Sequence, residues 1–278
     1  MSGPWIPESV ALELTLACPN RCATCGSDAG RPRKGELSHS QWLALIDELA
    51  GLGTKRLTFI GGEPLTYPGW EALAARGVER GMAVEMVTSA FGLDEVAADK
   101  IAQLPLYAVT ISVDGTEEVH DAQRGVPGSY RQALRALRLL DARGVPVGIA
   151  TQINPLTLPV LEQLAPVLED AGVLGWQVQL TIPTGRARTT DLMLPPSSMP
   201  TLYETLQRMK ARRGLRPHLT DNLGWFTCDD VELRTPPGMP NRGWQGCLAG
   251  IRGAGVTSDG RVKGCLSMPD PDHEGNVK

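Results

Sequence analysis

A chain of 278 residues with 42% hydrophobic and 21% charged residues has the composition of a soluble globular protein, one large domain or one domain with an appendage. Its formal net charge of −4 gives no electrostatic reason to expect nucleic acid or an anionic membrane as a partner. No apolar run approaches the roughly 20 residues needed to cross a bilayer, and "MSGPWIPESV" lacks the basic start and apolar core of a signal peptide. The expected location is the cytoplasm, where six cysteines serve as ligands, catalysts or buried apolar residues rather than as disulfides.

In chain order, the sequence predicts strands over 12–17 ("LELTLA"), 56–62, 83–89, 107–115, 145–154 and 176–183, each rich in β-branched residues and ending near Gly, Pro, Asn or Ser. Amphipathic helices are predicted over 40–53, 94–104, 129–144, 158–172 and 197–214, the first starting at a Ser cap and stopping at Gly. Strands alternating with helices imply βα units and a parallel sheet. The spacing fits an incomplete barrel as well as a doubly wound sheet, and in both the chemistry sits at the C-terminal ends of the strands. After residue 214 the chain turns irregular and rich in Gly and Pro, the profile of a loop-built module. "IRGAGVTSDGRVKGC" (251–265) then reads as a hairpin turning at "SDGR".

The first strand runs into "ACPNRCATCG", which sets Cys18, Cys22 and Cys25 in a Cys-x3-Cys-x2-Cys array. Thiolates ligate zinc or iron–sulfur clusters. Zinc wants a fourth ligand, and the nearest histidine, His39, precedes a helix without ligand company. A structural zinc scaffold and unrelated thiols therefore stand as rivals to a [4Fe–4S] cluster with one iron left open. "GGEP" (61–64) ends the second strand; by itself it is a tight turn, but its glycines allow close backbone approach and Glu63 offers a carboxylate to an ammonium group. "SVDG" (112–115) and "HDAQRG" (120–125) follow the fourth strand and by themselves read as a turn and a solvated loop. A dinucleotide-dependent oxidoreductase is disfavoured, because cysteines stand where a G-x-G-x-x-G would follow the first strand.

Together these motifs resemble the radical S-adenosylmethionine (radical SAM) enzymes. The resemblance implies an α/β fold, a partial (β/α)6 barrel, in which Cys18, Cys22 and Cys25 hold the cluster and its open iron chelates the amino and carboxylate groups of SAM. Reductive cleavage then gives methionine and a 5′-deoxyadenosyl radical that abstracts a hydrogen atom from substrate. It further implies that Gly61, Gly62, Glu63 and Pro64 bind the SAM amino group, and that Ser112, Asp114 and Arg124 meet its ribose or carboxylate. Ser89 of "TSAFG" and Gln152 or Asn154, at the ends of strands three and five, complete the expected site. Gln177 and Gln179 share one face of strand six, directed at the cavity or at each other in the core. One departure stands at Thr24, where the family usually has an aromatic residue; this puts adenine packing by that side chain in question and leaves the backbone there to make contacts.

The tail carries a second resemblance. Cys247, Gly260 and Cys265 match the Cys-x(9–15)-Gly-x4-Cys hairpin of SPASM and twitch auxiliary-cluster domains. This implies a small C-terminal β-hairpin domain with an auxiliary [4Fe–4S] or [2Fe–2S] cluster on Cys247, Cys265 and Cys228, with Cys228 alternatively an inert thiol or a hydrogen-atom donor. The expected boundaries are 1–214 for the barrel and 215–278 for the cluster region. The further cysteine block of a full SPASM domain does not follow, so the region is either twitch-like or truncated. The expected activity is maturation of a ribosomally made peptide by crosslinking, epimerisation or a related change. The alternatives are dehydrogenation or epimerisation of a small molecule such as a sugar or antibiotic intermediate, or sulfatase-type serine oxidation. Flavodoxin or ferredoxin would supply the electron, and a peptide substrate would need direct recognition by the barrel or a separate recognition protein.

Overall fold

The computed structural model describes residues 5–212, 214–220, 223, 227–235, 240, 243–244 and 246–278. The chain alternates strands and helices: β1 (Ser9–Glu13), α1 (His39–Leu52), β2 (Arg56–Ile60), α2 (Trp70–Glu79), β3 (Ala83–Thr88), α3 (Glu95–Ala102), β4 (Ala108–Ser112), α4 (Glu117–Arg124), α5 (Ser129–Asp141), β5 (Val147–Ile153), α6 (Leu161–Asp170), β6 (Gly175–Leu180), α7 (Met199–Ala211), β7 (Pro217–Leu219), α8 (Asp230–Arg234), β8 (Gly253–Val256), β9 (Arg261–Lys263) and β10 (Gly275–Asn276). They build one sheet in the order β10-β9-β8-β1-β2-β3-β4-β5-β6-β7. All neighbours from β8 to β7 are parallel, and β8–β9 and β9–β10 are antiparallel. This is the expected α/β partial barrel, with the predicted hairpin at 253–263.

Local chemistry sets the element ends. Ser38 and Gln41 form a reciprocal capping box at the start of α1, and Gly53 closes it in the left-handed region (φ 96°). Asp94 caps α3 by accepting from the Ala97 N–H at 2.9 Å. The first strand runs over Ser9–Glu13, three residues before the predicted 12–17, because beyond Glu13 the backbone leaves the sheet: Leu16 N–H donates to the Glu36 carboxylate, and Ala17 pairs with Gly30. Pro159 opens the predicted 158–172 helix with a 3-10 turn over 158–160. The segment 120–125, which by itself reads as a solvated loop, lies largely in α4 (Glu117–Arg124), with Glu117 and Glu118 in its first turn and Gly125 (φ 66°) ending it. Helix α2 went unpredicted, with Gly77 inside it; a Cβ there would sit 2.7 Å from Val84 Cγ2, so the helix lies close on the sheet. Strand β7 was also unpredicted; Pro217 heads it at the sheet edge, where a missing N–H is tolerated.

The core is a continuous cluster under the sheet and helices, with Leu12, Trp42, Phe59, Met86, Ile111, Leu137 and Trp176 fully buried. Two features tie the tail into it. Strand β8 runs parallel to β1 in register from Ser9↔Gly253 to Leu12↔Val256. An ion network then crosses from one to the other. Arg33 pairs with Glu13 (2.6 Å) and Asp270 (2.6 Å), and Lys263 pairs with Asp270 (2.9 Å). Glu13 is 2% exposed and also accepts from the Ser258 N–H and hydroxyl, each at 3.0 Å.

Replacing Arg33 with Met leaves the Glu13 carboxylate buried without its cation, which costs about 3–5 kcal/mol. The expected result is that fall in urea-unfolding free energy, with faster proteolysis of the 259–278 segment; an unchanged denaturation midpoint would show the network to be dispensable.

Candidate active site

A cavity of about 370 Å³ opens at the C-terminal end of the parallel strands. Its wall brings together Cys18, Cys22, Thr24 and Cys25 from the loop after β1, Gly61 and Gly62 after β2, Thr88 at the end of β3 and Ser89 after it, Ser112 on β4, Arg124 on α4, Gln152 on β5, and Gln177 and Gln179 on β6.

The cysteine loop is held by main-chain bonds. Its ends close on one another through Cys18 N–H to Gly30 O (3.3 Å) and Gly30 N–H to Leu16 O (2.9 Å). Ala23 and Arg21 donate their N–H groups to Gln123 O (2.8 Å) and Arg124 O (3.1 Å), so the loop rests on the C-terminal carbonyls of α4. Burial pushes the Cys18 thiol up to about 11, and burial raises Cys22 too, against the opposing charge of Arg124. A bare thiolate is therefore disfavoured there until a cation arrives. Among the described residues, no three Cys, His, Asp or Glu side chains converge tightly enough for a single metal ion. Three thiols spread over one cavity wall suit a multi-iron cluster better than a lone zinc.

The "GGEP" turn packs directly under this loop. A Cβ on Gly61 would lie 2.3 Å from Thr15 O and one on Gly62 2.1 Å from Ala17 O, so neither position admits a side chain. Gly62 N–H and Glu63 N–H donate to those two carbonyls at 2.8 Å each. Glu63 and Pro64 lie behind the wall rather than on it. The Glu63 carboxylate is wholly buried, accepting from Thr88 Oγ1 (2.5 Å), Ser89 Oγ (2.5 Å) and Ser89 N (2.8 Å). Burial raises its pKa, opposed by those donors from Ser89 and Thr88.

Asp114 also lies behind the wall, fully buried. It pairs with Arg124 Nη2 (2.5 Å) and accepts from Gln152 N–H (2.8 Å), and Arg124 Nη1 stands 3.8 Å from Cys22 Sγ. Burial works against the guanidinium charge, but Asp114 and Cys22 outweigh it and hold Arg124 protonated. His120 accepts the Asp114 N–H on Nδ1 (3.1 Å); burial and then the Arg124 charge push its pKa down to about 4, so it stays neutral near neutral pH. Asn154 is fully buried and serves the turn after β5, accepting from Leu156 and Thr157 N–H groups.

In the tail, Gly250 N–H donates to Gly264 O (3.3 Å), which brings the chain after Cys247 beside the chain before Cys265. Cys247 and Cys228 are exposed and Cys265 is half-buried. Leu266 and Ser267, directly after Cys265, reach the cavity wall, whereas Cys228 is not on it. Sequence reasoning missed these two residues, along with Asn20, Thr184 and Arg186. The glycine in "TGRAR" after strand six was the available signal for the last pair.

Residues 12–171 match the Radical SAM superfamily model. The chain belongs to that superfamily. Among curated relatives, the AdoMet-dependent heme synthase of Methanosarcina barkeri is 26% identical over 272 residues, covering 95% of this chain and 78% of that one. The PqqA peptide cyclase of Granulibacter bethesdensis is 32% identical over 172 residues, covering 61% of this chain and 45% of that one. Streptococcus suis SuiB shares the fold, at TM-score 0.77 bound to S-adenosylmethionine and 0.76 bound to precursor peptide SuiA. In both, this chain is covered over 94% and spans 60% of SuiB, at 14% and 13% identity. Membership of the superfamily implies a [4Fe–4S] cluster and SAM, which the three cavity-facing thiols and the two side-chain-free glycines beside them fit.

Replacing Glu63 with Gln removes a charge from the acceptor that orders Ser89 on the cavity wall. With charge-assisted bonds contributing about 1.5–3 kcal/mol each, SAM affinity should fall about tenfold or more while cluster iron stays. Equilibrium binding of SAM to the reconstituted variant measures this, and unchanged affinity would remove Glu63 from the site.

Proposed function

We propose that this enzyme abstracts a hydrogen atom from a ribosomally made peptide and so crosslinks, epimerises or otherwise matures it. The observation that carries the peptide reading is the charge state of the cavity wall. Among the described residues, its two cations are both committed: Arg124 to Asp114, and Arg186 to Asp28 at 2.7 Å. The other polar side chains described on the wall, apart from the thiols, are neutral amides and hydroxyls. Gln177 and Gln179 line it from alternate positions of β6, joined by Gln152, Ser112, Thr184 and Ser267. Amides and hydroxyls match the paired N–H and C=O groups of a peptide, whereas a substrate with several carboxylates wants uncommitted cations. The similarity to the PqqA peptide cyclase and the shared fold with SuiB point the same way.

A tetrapyrrole substrate is the second reading, favoured by the M. barkeri heme synthase, whose similarity extends over most of the chain. Small-molecule dehydrogenation or epimerisation and serine oxidation rank below it. In each case the bound cluster and SAM supply a 5′-deoxyadenosyl radical after one-electron reduction, with flavodoxin or ferredoxin as the electron source. The protein's own part is to present thiols from one loop, hold SAM against Gly61, Gly62, Ser89, Ser112, Arg124 and Gln152, and keep substrate beyond it near β6. Asp114 supports this by fixing Arg124, and Thr24, on the cavity wall, would offer backbone contacts to SAM in place of the aromatic side chain usual in the family.

We take 1–214 as the radical SAM barrel and 215–278 as an auxiliary-cluster region in which Cys247, Cys265 and Cys228 are ligands. The closeness of the Gly250 and Gly264 segments supports the first two. As a hydrogen donor instead, Cys228 would have to reach the substrate; it is exposed and is not among the residues lining the cavity.

Replacing any of Cys18, Cys22 or Cys25 with Ala should abolish 5′-deoxyadenosine formation from SAM and dithionite. The triple variant should keep auxiliary iron and sulfide, and lose them when Cys247 is also replaced; an iron-free triple variant would argue against a second cluster.

To separate the substrate classes, Fe-coproporphyrin III is titrated into the SAM-loaded enzyme alongside any short peptide encoded next to the gene. The peptide reading expects a mass change in the peptide and no saturable absorbance shift from the porphyrin at micromolar concentration. A stoichiometric porphyrin shift would favour the second reading.

A further inference from the structure

Arg186, on the cavity wall, belongs to none of the motifs above. It follows β6 in a short 3-10 turn over Gly185–Thr189 and reaches back across the site to the cysteine loop. Its Nε donates to Cys22 O (3.0 Å), its Nη1 to Ala29 O (2.8 Å) and to the Asp28 carboxylate (2.7 Å), and its own N–H to Cys25 O (3.0 Å). The carbonyls of two cysteines and the end of the loop are thus held by one residue from the opposite side of the barrel. The contact is close-packed as well as polar. Gly185 sits at φ 54°, and a Cβ there would stand 2.4 Å from both Cys25 O and Gly26 O. On the loop's other side, its N–H groups rest on α4 as described, so the segment carrying Cys22 and Cys25 lies between two fixed supports.

We propose that Arg186 is a positioning residue for the cluster: it fixes the Cys22–Ala29 backbone and thereby the direction of the Cys22 and Cys25 thiols. The inference rests on the reading of Cys18, Cys22 and Cys25 as cluster ligands. The fork geometry is essential. A guanidinium presents several donors in one plane and can serve Cys22 O, Ala29 O and Asp28 together, whereas a lysine ammonium on its single stem cannot span them. The charge has a second effect. Arg186 is balanced by Asp28, so removing either member alone leaves one unpaired charge beside the cluster. Loss of the cation disfavours the reduced, more negative cluster, and loss of the anion favours it.

The test uses the full chain, reconstituted anaerobically, with three variants: Arg186→Met, Arg186→Lys and Asp28→Asn. Two quantities are read: the rate of iron transfer to a chelator, and the midpoint potential of the reduced-cluster EPR signal that shifts when SAM is added. The expected results are at least tenfold faster iron loss with a lowered potential for Arg186→Met. Arg186→Lys should recover the potential but not the iron retention. Asp28→Asn should keep iron loss within about twofold of the unaltered chain while its potential rises. Unchanged iron loss and potential in both Arg186 variants would overturn the proposal. Should Arg186→Met fail to fold by circular dichroism, Arg186→Lys decides alone, because it keeps charge and bulk and loses only the fork. An unaltered chain with no SAM-sensitive signal would instead refute the cluster reading itself.

Discussion

The structure depends on closing one loop. Between Ala17 and Gly30 the chain leaves the sheet and must present three thiols to a cavity, with no regular secondary structure of its own to do so. A loop of that kind is held only if its backbone polar groups find partners elsewhere. They do so on several sides: on each other where the loop ends meet, on the carbonyls of α4, on the N–H groups of the Gly62–Glu63 turn, and on Arg186. Apart from the loop's own closure, the supports follow three different strands, β2, β4 and β6, which is what a parallel α/β sheet offers, since all its strand exits gather on one rim. The barrel is thus the scaffold that lets three separate chain segments converge on one irregular loop.

Buried carboxylates do the second part of the work. Glu13, Glu63 and Asp114 are each 2% exposed or less, and a carboxylate that deep is tolerated only when its oxygens are satisfied. Their partners lie at the rim: Arg33 and Ser258 for Glu13, Thr88 and Ser89 for Glu63, Arg124 and the Gln152 backbone for Asp114. Satisfying each one fixes the residues that do face the cavity. This is how Glu63 and Asp114, standing behind the wall, shape it. The cavity meets the residues that they order.

The sequence made the barrel and its three motifs legible because both depend on local signals. Strand periodicity survives in single segments, and Cys-x3-Cys-x2-Cys or Gly-Gly-Glu-Pro carry their chemistry in adjacent residues. Hidden elements were those whose signals conflict. Helix α4 mixes a polar, acidic first turn with few apolar residues, so it read as loop although Gly125 marks its end. Helix α2 carries Gly77 where an apolar residue would have strengthened the pattern. Which side chains reach the cavity was less legible still. Ser112 and Asp114 differ by two positions, yet one faces the cavity and the other lies behind it, because the strand ends at Ser112 and alternation stops there. Arg186 was hard to read for another reason: its partners lie more than 150 positions away, and the glycine before it was the one local hint.

The tail follows from the same rim geometry. A parallel sheet that stopped at β1 would expose that strand's edge, a template for unwanted pairing. Strand β8 fills the edge in parallel register, and β9 and β10 extend it. Because β8 is locked to β1, the hairpin that follows cannot settle anywhere else, and the chain after Cys265 arrives at the cavity wall as Leu266 and Ser267. Arg33 then pins Asp270 to the strand-one carboxylate from the other direction. The segment after Cys265 is therefore close to the cavity. A change at Cys265 reaches the wall that the three thiols line through Leu266 and Ser267, while Asp270 is tied through Arg33 to Glu13 at the end of β1, the strand that leads into the cysteine loop.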